Sequence, residues 1–102
     1  MWIFLSNSFL SVVQKPGDTD LLTVRARIEG DIERVFPGAQ VQTNQGTDYK
    51  YRTKVLREVV AKALHDQAMS VDYANFKSTV KTKKRHDAYM SVWSAMYAAQ
   101  ER

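Results

Sequence analysis

Five cations in two short stretches are the residues of this sequence best placed to do chemistry. Arg25 and Arg27 lie two apart in "LLTVRARI", and Lys50, Arg52 and Lys54 follow the same spacing in "DYKYRTKV". A spacing of two puts side chains on one face of a strand. If both stretches are strands of one sheet with their apolar faces turned inward, all five cations share the opposite face. Such a face can hold a phosphate backbone, and single-stranded nucleic-acid platforms add aromatic rings on which bases stack. Trp2, Phe4 and Phe9 are the rings available for that role. The plainer alternative is a half-solvated sheet whose cations face water and pair with carboxylates such as Glu29 and Asp48.

A second basic run, "KTKKRH", places Lys83, Lys84 and Arg85 at the start of the last helix, followed by His86. Cations at a helix N-terminus oppose the macrodipole at a cost of a few tenths of a kcal/mol each, about what an arriving anion would relieve. No aromatic residue interrupts the run, so a solvated corner is the plainer reading. His86 lies three residues before Tyr89 and seven before Trp93, at the end of an apolar stripe, and is the one candidate acid/base. His65 has only its neighbour Asp66 beside it. No histidine pair has ligand spacing, so no metal is expected. No serine sits in a nucleophile elbow, and the four glycines are scattered one per turn, so no phosphate-cradling loop and no cofactor are expected. The carboxylate pairs Asp18/Asp20 and Asp31/Glu33 have ordinary turn and capping explanations.

The elements that must position these groups follow from periodicity. "WIFL", the turn "SNS" and "FLSVVQ" predict a β-hairpin, and Lys15 to Asp20 a loop broken by Pro16 and Gly17. In "LLTVRARI", Leu22, Val24, Ala26 and Ile28 alternate with Leu21, Thr23, Arg25 and Arg27. A short helix is expected in "GDIERVFPG", with Asp31 as N-cap, Ile32, Val35 and Phe36 inward, and Pro37 and Gly38 ending it. "AQVQTNQGTDYKYRTKV" predicts a second hairpin turning at Asn44 to Gly46, with Tyr49, Tyr51, Thr53 and Val55 on one side of its return strand. "VLREVVAKALHDQAM" carries a helical stripe of Leu56, Val60, Ala63 and Leu64, with Val59 beside it. Asp72 is expected to cap a short helix aligning Tyr73, Phe76 and Val80. The last helix, about Lys84 to Gln100, carries Tyr89, Val92, Trp93, Met96 and Tyr97 on one stripe.

The 102 residues suit one domain able to bury a core. The absence of cysteine removes disulfides, thiolate metal sites and cysteine nucleophiles. The apolar start lacks a positively charged flank and is cut by Ser6, Asn7 and Ser8, so a signal peptide is not expected, and neither is a membrane span. A soluble cytoplasmic protein is the expectation. Charge is uneven: residues 1–48 hold four basic and six acidic groups, residues 49–102 eleven and five, which together give the net +4. A basic half permits an anionic partner.

Taken together, "MWIFLSNSFLSVVQKPG", "LLTVRARIEGDIERVFP", "TDYKYRT", "DYANFKSTV" and "RHDAYMSVWSAM" resemble a family of small hypothetical bacterial proteins. Its members open on a tryptophan–phenylalanine hairpin and close on a histidine–tyrosine–tryptophan helix. The resemblance spans nearly the whole chain and implies an intact bacterial domain; it carries over no activity, cofactor, partner or site residue.

The reading is a single α+β domain spanning residues 1–102. It has a four- to five-stranded, mainly antiparallel sheet packed on one face by C-terminal helices, with a ferredoxin-like variant as one candidate. Three functions remain open. One is a non-catalytic module binding an anionic partner such as nucleic acid through the sheet face. Another is a protein–protein module or homodimer using the aromatic hairpin or the last helix. The third is a metal-free enzyme on a phosphorylated small molecule, with His86 as acid/base.

Overall fold

Short apolar runs separated by turn residues favour antiparallel pairing between neighbours in the chain. The computed structural model describes residues 1–44 and 46–100. In it β1 (Trp2–Leu5) and β2 (Ser8–Val13) form an antiparallel hairpin with Phe4 opposite Phe9 and Leu5 opposite Ser8. Ser8 therefore belongs to the second strand, not to the turn. β3 (Leu21–Ala26) pairs antiparallel with β2, and the return strand β5 (Tyr51–Leu56) pairs antiparallel with β3. The two-residue β4 (Gln42–Thr43) closes the order β1-β2-β3-β5-β4, a sheet of five strands among the described residues. The α+β class holds. The chain order of three strands, a helix, two strands and then two α-helices with a 3₁₀ turn between them is not the βαββαβ of a ferredoxin-like fold. The turn expected at Asn44 to Gly46 includes Gln45, which lies outside the described residues.

The chain divides into two compact units, Met1–Val71 and Asp72–Arg102. In the first, the alternation of β2, β3 and β5 sends Leu10, Val12, Val24, Ala26 and Val55 to one face. Ile32 of α1 (Asp31–Val35), Phe36 at its C-cap and Val60 of α2 (Arg57–Met69) complete that core. Full burial of a side chain such as Leu10 or Ile32 is worth about 1.5–3 kcal/mol. Two expected core residues fall outside it. Ile28 lies beyond the end of β3 and is exposed, and Leu56, the last residue of β5, is exposed as the N-cap of α2.

Asp31 is not the N-cap of α1. That position is Gly30, at φ 91°, while Asp31 begins the helix with its side chain 1% exposed. Its carboxylate instead accepts the Phe9 N–H at 3.0 Å and pairs with Arg34 at 2.7 Å, tying the helix to β2. Gly30 permits this entry because a left-handed backbone costs glycine no steric penalty. A Cβ there would also lie 3.1 Å from the Arg34 guanidinium. Gly30→Ala is expected to destabilise the first unit by about 1–2 kcal/mol, read as a lower urea midpoint.

The second unit holds a 3₁₀ turn (Phe76–Thr79) and α3 (Lys83–Ala99). The turn is capped by Asn75, whose side chain accepts the Lys77 N–H at 3.0 Å, and not by Asp72. Phe76 stacks on Tyr89 with ring centroids 5.9 Å apart, and the Lys77 ammonium sits 4.8 Å from the Trp93 ring centroid. The apolar stripe of α3 is not a core stripe along its length: Trp93 is 47%, Met96 67% and Tyr97 45% exposed. Among the described residues no helix is long and apolar enough to cross a membrane.

Candidate nucleic-acid interface

Residues directly opposite in an antiparallel pair share a face, so the register fixes which cations meet. One row crosses the whole sheet: Trp2 faces Ser11, Ser11 faces Arg25, Arg25 faces Arg52 and Arg52 faces Gln42. The adjacent row places Val13 opposite Thr23 and Thr23 opposite Lys54. Phe4 and Phe9 flank the first row on the hairpin, their ring centroids 4.6 Å apart, and Phe9 meets Trp2 edge-on at 6.1 Å. The face away from α1 and α2 therefore carries rings at the hairpin end and cations on the central strands.

The five cations of that expected face do not have equal freedom. Arg27 donates to the Asp48 carbonyl at 2.9 Å and lies 4.0 Å from its carboxylate. Lys54 holds an ion pair with Asp18 at 2.7 Å. To that extent the sheet face is internally neutralised, though by Asp18 as well as Asp48. Lys50 precedes β5 and turns its ammonium to within 5.8 Å of the ring of Tyr51, a residue packed against the core, so it falls out of the row. Arg25 donates to Ser11 Oγ at 2.7 Å and Arg52 to Thr47 Oγ1 at 2.8 Å, both neutral hydroxyls. Among the described residues neither of these arginines has a carboxylate at ion-pair distance. Two like charges directly opposite in a sheet are destabilising, and here they stand half-buried.

Tyr49 is the site residue that periodicity misplaces. Parity puts it beside Tyr51 on the inner side, but β5 begins only at Tyr51 and Tyr49 lies in the preceding bend. There it is buried, with the Arg25 and Arg27 guanidinium carbons 4.4 and 4.0 Å from its ring centroid. A cation over an aromatic face is attracted by the ring quadrupole and held in orientation. Tyr49 thus positions Arg25 of β3 and Arg27 just beyond it, and nothing in the spacing of the sequence announces it.

The basic run of the second unit is less uniform than a solvated corner. Lys83 pairs with Asp87 one turn on at 2.7 Å, and Lys84 is exposed. Arg85 is buried, with its guanidinium turned toward the Tyr89 hydroxyl at 3.4 Å. His86 is partly exposed, and its Nδ1 lies 3.8 Å from the Asp87 carboxylate. The hydrogen bond with Lys83 holds the Asp87 carboxyl below its ordinary range and, reciprocally, holds the Lys83 ammonium above its own. A lowered carboxylate pKa contributes stability that is present above its unfolded value and lost as pH falls through the folded one. A raised lysine pKa contributes stability lost as pH rises through the folded value. The helicity difference between the wild-type chain and Asp87→Asn is therefore expected across the neutral range and to vanish at both extremes, as read by circular dichroism against pH. Among the described residues no three His, Asp or Glu side chains converge as a metal site would require.

No protein-family model, no curated protein and no solved structure matches this chain.

Proposed function

We propose that this chain is a non-catalytic, cytoplasmic binding module for an anionic partner, and that the partner is single-stranded nucleic acid bound across the outer face of the sheet. The observation that carries the reading is the opposed pair Arg25 and Arg52, which lacks a carboxylate among the described residues and lies in one row with the 65% exposed Trp2. Phosphates would meet the arginines while a base stacks on the tryptophan, the combination that sequence-tolerant single-strand binding uses. The test is fluorescence anisotropy of labelled single- and double-stranded oligonucleotides at low and near-physiological salt. The single strand is expected to bind more tightly, with affinity falling as salt rises. Equal weak binding of both forms that disappears near physiological salt would reduce the face to a generic cationic surface.

A second reading, self-association through α3, is favoured by a different observation. From Ala88 to Gln100 the helix contains no charged residue, and Trp93, Met96 and Tyr97 are exposed along it. Interface cores are depleted in charge and enriched in aromatic residues and Met. In a chain of net charge +4, a second copy is repelled least along this uncharged stretch of helix past Trp93, whose ring carries the Lys77 ammonium. Sedimentation velocity over a concentration series is expected to show a dimer that Met96→Glu dissociates. A monomer at all concentrations removes this reading.

A further inference from the structure

Beside the arginine row, where β4 stops after two residues, the edge of β5 is left open and a groove of about 380 Å³ forms. It is lined by Lys15 from the β2–β3 loop, Thr23, Gln42, Arg52 and Lys54, with Gln40 and Thr53 at its side. We propose that this groove is a binding site for a phosphate monoester, carried either by a free mononucleotide or by the terminal phosphate of a nucleic-acid strand. The proposal shares Arg52 with the sheet-face reading but does not depend on it.

Three observations converge on that chemistry. The first is charge. Lys15, Arg52 and Lys54 contribute three positive charges, and Asp18, paired with Lys54 at 2.7 Å, removes one. The local balance of two matches the dianion that a phosphate monoester approaches near neutral pH, whereas a backbone diester carries a single charge. The second is unspent hydrogen-bonding capacity. Thr23 is 4% exposed and its Oγ1 has no hydrogen-bond partner among the described residues; the buried Nε of Arg52 has none either. Buried polar atoms are normally satisfied, and an oxygen-rich ligand supplies acceptors to both. The third is size, since the groove falls in the range of small-molecule sites and exceeds what one tetrahedral anion fills. Gln42 adds an amide that can donate to and accept from a base or sugar. Lys15, drawn from a loop that periodicity marks only as a breaker, is the residue that distinguishes this site from the sheet face.

The experiment uses the full chain and two kinds of probe. Uridine monophosphate is titrated by calorimetry, and a 3′-labelled oligothymidylate is compared with and without a 5′-phosphate by anisotropy. Lys15→Ala and Thr23→Val are the site variants, the second being nearly isosteric and suited to a buried strand. The expected result is a Kd for the phosphorylated probe that Lys15→Ala weakens about tenfold, as removal of one charge-assisted hydrogen bond should, and that Thr23→Val weakens in the same direction. If uridine monophosphate binds and the 5′-phosphate adds nothing to the oligonucleotide, the source is a free nucleotide. If the 5′-phosphate tightens the oligonucleotide about tenfold in a Lys15-dependent way, the source is a strand end. Absence of both effects overturns the groove, and oligonucleotide binding that persists then leaves the sheet-face reading standing alone. Uridine monophosphate binding without any oligonucleotide binding does the reverse. Binding that both variants leave unchanged lies elsewhere on the protein and also overturns the proposal.

Discussion

Reversing both arginines, Arg25→Glu with Arg52→Glu, is expected to weaken single-stranded oligonucleotide binding at least about a hundredfold. Each charge-assisted hydrogen bond is worth about 1.5–3 kcal/mol, and reversal adds repulsion to its removal. The dependence of log affinity on log salt should flatten as well, by about 1.4, because each phosphate contact to a single strand contributes about 0.7 to the slope. Arg52→Glu alone makes the sharper test, because it separates binding from folding. Arg25 lies directly opposite Arg52, so a glutamate at 52 converts a like-charge pair into a cross-strand ion pair. Such pairs contribute about 0.2–1 kcal/mol, while the substitution removes one hydrogen bond, to Thr47. Urea unfolding should therefore show stability unchanged or slightly higher, while anisotropy shows affinity reduced. A change that stabilises the fold and weakens binding marks residues whose charge is kept for a ligand. Unaltered affinity in the double variant would overturn the nucleic-acid reading.

Much of this face was legible because strand periodicity is strict. Arg25, Arg52 and Lys54 sit where alternation against Val24, Thr53 and Val55 puts them. What alternation cannot supply is register. Twenty-four residues, including α1 and β4, separate Ala26 from Tyr51, and only the pairing of β3 with β5 across that excursion sets Arg25 against Arg52. Parity also fails where a strand stops early. Lys50 and Tyr49 continue the pattern on paper, but both precede β5, and the Arg25 and Arg27 guanidiniums instead draw the Tyr49 ring to their side of the sheet. Asp31 reads as a cap because aspartate before an apolar run usually is one. Gly30 takes that place through its positive φ, releasing the carboxylate for the N–H of a strand that lies 22 residues away in sequence. The α3 stripe has the right period for a core and the wrong surroundings: the spacing 89, 92, 93, 96, 97 says which residues share a side, not whether anything covers it.

Asp31→Ala should be among the most damaging single substitutions in the first unit, costing about 3 kcal/mol. The carboxylate is buried, and its removal strands the Phe9 N–H while leaving Arg34 without its 2.7 Å partner. An orphaned buried donor costs about 1–3 kcal/mol and a hydrogen bond to a charged group is worth about 1.5–3. Arg34 is part-exposed and can turn to water, which keeps the loss below that of a fully buried pair. Asp31→Asn separates the two contributions, since its amide oxygen can still accept from Phe9 but no longer pairs as an anion; it should cost about half as much. Trp93→Phe provides the background for the measurement, leaving Trp2 as the single tryptophan so that fluorescence follows the sheet unit alone. The urea midpoint should fall in the order wild type, Asp31→Asn, Asp31→Ala, at constant m. Because Phe9 neighbours Trp2 on the outer face, the same anchor that seats α1 also fixes the ring end of the binding row. Asp31→Ala is therefore expected to weaken oligonucleotide binding even under conditions where the protein stays folded, and an unchanged affinity there would mean that the hairpin rings take no part.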